Sequence, residues 1–204
     1  MNHSLSMSKG RLEALSDGVY AVALTLLVLD LKLPPLAEPV TGAALNAALA
    51  ELGIKALMWM LSFWVGALFW LAQSRVLHQY AHLDRRAVTA ELAQLALIAL
   101  LPFSTALIAE HGNLVAASLI YALHLALLAL LSLLRVLRLQ WRADLRVADF
   151  DADDTQAQVR RAQVVVVSAL CAVALAFVVP AWNMLAMFGL ALGSVLRRRA
   201  PAPK

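Results

Sequence analysis

Apolar runs dominate the chain, and their lengths are those of membrane helices. A bilayer core about 30 Å thick needs about 20 mostly apolar residues in a helix. Six segments meet that need: roughly 12–33, 53–77, 88–109, 114–134, 162–179 and 182–196. The sixth is short, and Pro180 separates it from the fifth, so a tight hairpin is expected there. The first is expected to be a true span rather than a secretory signal: Asp17 interrupts its start, Asp30 and Lys32 follow it, and five more spans come after. The expected fold is an all-α polytopic membrane protein, one six-span unit covering residues 1–204.

Composition agrees. Of 204 residues, 62% are hydrophobic and 15% charged, and the mean hydropathy is +0.77. A soluble domain averages about 45–50% apolar and about 25% charged. Charge then orients the spans. Of the 17 lysines and arginines, 15 fall at the N-terminus, at the C-terminus, or on the connections between spans two and three and between four and five. Only Lys32 and Lys55 fall on the other side. The positive-inside rule puts the larger group, with both termini, in the cytoplasm. The net charge of +4 therefore reflects topology and contact with anionic lipids, not nucleic acid.

The first span has internal structure. On a wheel of about 100° per residue with Val22 at zero, Gly18 lies at about 320°, Thr25 at about 300°, Leu26 at about 40°, Leu29 at about 340° and Leu33 at about 20°. They form one smooth stripe with a single hydroxyl. Asp17 falls at about 220° and Ser16 at about 120°. A charge there must find a partner in protein, because an unpaired charge in lipid is costly. The stripe suits lipid contact or a helix-packing seam. It also suits a pore built by several copies, with branched side chains as the constriction and threonine oxygens beside it. Thr25 has a plainer use, bonding back to its own helix. For Arg11 and Asp17 the plainer use is an interfacial ion pair.

Other candidate chemistry is sparse. Cys171 lies in an apolar run, is the lone cysteine, and is expected to be a small buried hydrophobe. The longest polar stretch, 135–161, is expected to be a loop. Within it, Asp149–Asp154 begins like a calcium loop, but Asp154 and Arg160 stand where glycine and glutamate are needed. It is expected to be a solvated acidic loop. His78 and His82 have helical spacing but no third ligand nearby, so an interface or network role is expected, with no metal and no cofactor. No nucleophile–base set is visible, which argues against an enzyme.

Several stretches resemble one family. "RLEALSDG" followed by "TLLVLDLKLP" is similar to the signature of the transmembrane protein 175 family in its bacterial single-repeat form: arginine, three residues, then Phe-Ser-Asp. "FWLAQSR" resembles the second-span Phe-Trp-x-x-His-His-Arg, "LLPFSTALIAEHG" the third-span Leu-Pro-Phe-x-Thr, and "IYALHLALLALL" the fourth span.

The resemblance implies a potassium-permeable channel in the cell inner (plasma) membrane. It implies a homotetramer with the first helix lining the pore and no Thr-Val-Gly-Tyr-Gly filter. K+ and other monovalent cations would be its permeant partners. It places the constriction at Val22, further hydrophobic layers at Leu26 and Leu29, and the hydroxyl tied to potassium preference at Thr25. It assigns Arg11, Ser16 and Asp17, with Trp70, to a polar network behind the pore. Three positions depart from the pattern: Leu15 for phenylalanine, a smaller Val22, and Gln73–Ser74 for paired histidines. His78, one turn beyond Ser74 on the same face, is a candidate substitute. The competing reading is a proton-coupled secondary transporter using Asp17.

Overall fold

A computed structural model describes residues 8–36 and 38–180. Helix α1 covers Lys9–Leu26 and tightens into a 3₁₀ turn at Leu27–Asp30. Then follow α2 (Gly42–His78), α3 (Arg85–Ala99), α4 (Leu101–His111), α5 (Val115–Trp141) and α6 (Ala152–Leu175). Among the described residues, five helical stretches are long and apolar enough to cross a membrane: 9–30, 42–78, 85–111, 115–141 and 152–175. The sixth expected span, 182–196, lies outside the described residues.

The structure corrects several boundaries. Helix α2 starts at Gly42, well before the expected start, because an alanine-rich stretch of high helix propensity precedes the apolar run. Thr41 caps it, its Oγ1 accepting from the Ala44 N–H at 3.2 Å. The expected loop 135–161 is mostly helix. Helix α5 runs on to Trp141, α6 begins at Ala152, and only residues 142–151 connect them. The acidic run is half helical for the same reason. Asp151 caps α6, accepting from the N–H groups of Asp153 and Asp154 at 2.9 and 3.0 Å. Cys171 is exposed, not buried, because it sits on the outer face of α6.

The third span is two helices. Pro102 has no N–H to continue the ladder, and the Leu100 N–H closes a tight turn on Leu97 O at 3.0 Å. His124 of α5 staples this break. Its Nε2 donates to Leu97 O at 2.9 Å, and its Nδ1 accepts from the Ser104 hydroxyl at 2.7 Å. The assignment follows because a carbonyl can only accept.

Two apolar clusters hold the bundle. The larger joins Tyr20 and Leu27 of the first span to Ile98, Leu101, Leu125 and Leu128. The smaller gathers Val76, Tyr80, Val136, Leu139, Leu145 and Val159 at the end where α2 stops. There the 79–84 and 142–151 connections clasp each other: Ala81 N–H donates to Leu145 O at 2.8 Å and Val147 N–H to Gln79 O at 3.1 Å. Lys9 joins the clasp, its ammonium donating to His78 O at 3.2 Å and Tyr80 O at 3.0 Å. A cation beside the last carbonyls of α2 also suits that helix's dipole.

Candidate pore helix and its polar support

Helix α1 and the 3₁₀ turn that continues it have two unlike faces. Leu12, Ser16, Tyr20, Ala23 and Leu27 are buried, and their spacing of four, four, three and four residues makes one packing seam. The opposite face has no partner within the subunit. Val22 is 57% exposed, Leu26 42% and Leu29 60%, with Thr25 exposed among them. The stripe read from the wheel is therefore one continuous apolar surface on the subunit.

Thr25 is bonded back to its helix. Its Oγ1 lies 2.9 Å from Ala21 O and 2.9 Å from Val22 O. A hydroxyl has one proton and two lone pairs. With the proton committed to the helix, the oxygen faces outward as an acceptor only.

The seam carries the polar support. Gln73 of α2 is buried and bridges two residues of α1. Its Oε1 accepts from the Tyr20 hydroxyl at 2.9 Å, and its Nε2 donates to the Ser16 hydroxyl. Trp70 Nε1 donates to Asp17 Oδ1 at 2.8 Å. A cleft of about 130 Å³ lies between α1 and α2, lined by Glu13, Ser16, Asp17, Trp70, Ser74, Leu77 and His78. Five of the six residues expected in the polar network thus meet at one place. Ser74 and His78 line the cleft without side-chain hydrogen bonds among the described residues. Arg11 stands apart: it is exposed, and its guanidinium has no hydrogen bond or ion pair among the described residues.

Sequence reasoning did not place Gln73 or Tyr20 in this network. Gln73 stands where the resemblance implies one of a histidine pair and, like a histidine, offers a donor and an acceptor. That equivalence was the available signal. Nor did it find the buried ion pair of Glu91 on α3 with Arg135 on α5. Asp84, in the connection just before α3, pairs with Arg138 near the end of α5. Burial pushes the Asp84 carboxyl up, but the Arg138 guanidinium and the Ala87 N–H outweigh it and hold it below the usual range. Arg142 grips Asp144 at 2.8 and 2.7 Å and holds its carboxyl down to about 2. Among the described residues, no three histidine, cysteine or carboxylate side chains gather as metal ligands.

The family model described as "Endosomal/lysosomal potassium channel TMEM175" matches residues 11–102, the stretch that holds this helix and its support. Over that stretch the chain is similar to the TMEM175 family. Three relatives are named potassium channels. One from Streptomyces collinus is 37% identical over 102 residues, covering 50% of this chain and 48% of the relative. One from Chamaesiphon minutus is 36% identical over 102 residues, covering 50% of each. One from a Chryseobacterium species is 32% identical over 99 residues, covering 48% of each. This chain thus spans about half the length of the curated relatives it matches.

Likeness in three dimensions reaches further. The crystal structure of a lysosomal potassium-selective channel TMEM175 homolog from Chamaesiphon minutus is 28% identical, with a TM-score of 0.78. The match covers 94% of this chain and 98% of that one. A crystal structure of the potassium channel MtTMEM175, 16% identical with a TM-score of 0.63, agrees in fold and covers 96% of this chain and 94% of that one.

Proposed function

We propose that this protein is a potassium-permeable channel of the TMEM175 family, a homotetramer whose four α1 helices surround the pore. The observation that carries this reading is the exposed Val22–Thr25–Leu26–Leu29 face on a helix whose other side is buried and bonded. A helix anchored from behind presents its free face to a symmetry axis as a fixed wall. Val22 forms the bottleneck, and Leu26 and Leu29 extend the apolar lining. Four Thr25 oxygens beside the bottleneck offer acceptors to an ion that has shed part of its water. Potassium costs less to dehydrate than sodium and passes more readily, without a carbonyl filter. The tetramer sits in the inner membrane with both termini cytoplasmic and its arginine-rich connections at the lipid headgroups.

The test is reconstitution of the purified protein into planar bilayers under opposed potassium and sodium gradients. Step-like currents reversing toward the potassium equilibrium potential, unaltered by an imposed proton gradient, support the channel. Slow flux that appears only with a proton gradient refutes it and favours the transporter reading based on Asp17.

A further inference from the structure

Gly66 lies in the middle of α2, where glycine weakens a helix and calls for a reason. The reason is space. A Cβ built on Gly66 would stand 2.5 Å from Leu24 Cδ2 and 3.1 Å from Leu101 Cδ2. Real side chains do not tolerate the first distance, so the glycine marks the point where α1, α2 and α4 close on one another. Leu24 is the informative contact. It sits about 200° round the α1 wheel from Val22, on nearly the opposite side of the helix. It is two residues along from Val22 and one before Thr25, hence level with the proposed bottleneck.

We propose that Gly66 is a positioning residue that sets the calibre of the pore. By having no side chain it lets Leu24 sink into α2, and so lets α1 stand back from the axis at the level of Val22 and Thr25. Bulk at residue 66 is a wedge behind the wall. It meets the Leu24 and Leu101 side-chain tips together, and in close packing part of that push is relieved by shifting α1 as well as by turning the Leu24 side chain. The shift is directed at the axis, because Leu24 and Val22 face opposite ways. This inference rests on the reading of α1 as the pore lining.

Single-channel recording on Gly66→Ala, Leu24→Ala and the double variant tests it, with tetramers first verified by size-exclusion chromatography. Gly66→Ala is expected to lower unitary potassium conductance severalfold. Leu24→Ala alone is expected to raise it, and the double variant to return toward the parent. That reciprocal rescue separates a wedge from simple damage to packing. Should Gly66→Ala fail to assemble, the other two variants decide. Parental conductance in Gly66→Ala, lowered or parental conductance in Leu24→Ala, or a double variant no better than Gly66→Ala overturns the proposal. Val22→Asn recorded alongside tells which claim has failed. If it alters conductance while residues 24 and 66 do not, only the wedge falls. If none does, α1 does not line the pore.

Discussion

Trp70 Nε1 donates a 2.8 Å hydrogen bond to Asp17 Oδ1, so a carboxylate near the start of the first helix is held by the second. Hydrogen bonds to a charged group contribute about 1.5–3 kcal/mol. Trp70→Phe keeps most of the bulk and removes the donor. It is expected to lower the melting temperature of the detergent-solubilised protein, and Asp17→Ala to impair assembly as well. An unchanged melt for Trp70→Phe would show the bond to be idle.

Gln73 satisfies two groups at once, the Tyr20 and Ser16 hydroxyls. Gln73→Leu takes a partner from each in a buried seam; an unsatisfied buried hydroxyl costs about 1–3 kcal/mol, and Tyr20 keeps Gln94 beside it. Gln73→His supplies one donor and one acceptor and is expected to lose much less. Comparing thermal melts of the two variants checks this; equal losses would mean that volume matters there and hydrogen bonding does not.

The Glu91–Arg135 pair is buried between α3 and α5. Removing one member of a buried pair costs about 3–5 kcal/mol, because the other charge is left uncompensated. Arg135→Met is therefore expected to be severely destabilising, and the double change with Glu91→Leu to recover most of the loss. Denaturation of the purified variants reads this directly, and additive losses would contradict it.

Asp84 predicts an acid response. Its folded pKa lies below the ordinary value, so its contribution is complete above the unfolded value of about 3.9 and is lost as pH falls through the folded one. The clasp between residues 79–84 and 142–151 should keep its hydrogen-exchange protection at neutral pH and loosen in acid. Asp84→Asn should be loosened already at neutral pH and respond less to acid. Protection that rises with acidity would reverse the sign of the argument.

The apolar runs made the spans legible, because a membrane helix is specified by composition over about 20 residues. Their ends were less legible, for a physical reason. Arg135 and Arg138 look like loop residues to a hydropathy window, yet they are helical because Glu91 and Asp84 neutralise them from another helix. Partners so distant in the chain leave no trace in a single sequence. The same holds for Gln73, whose value depends on Ser16 and Tyr20 lying opposite. The stripe on α1 was legible because it is local: 100° per residue suffices to align Val22, Thr25, Leu26 and Leu29.

Recording Val22→Asn and Thr25→Val beside the parent in bilayers, with potassium on one side and sodium on the other, tests the central claim most directly. Val22→Asn keeps a modest volume and adds polar atoms, so conductance should rise and the reversal potential should move toward zero. Thr25→Val removes the acceptor oxygen at nearly constant volume, so the reversal potential should move toward zero without a gain in conductance. If both variants keep the parent's conductance and reversal potential, while polar substitutions on another span change them, the first helix is not the wall of the pore.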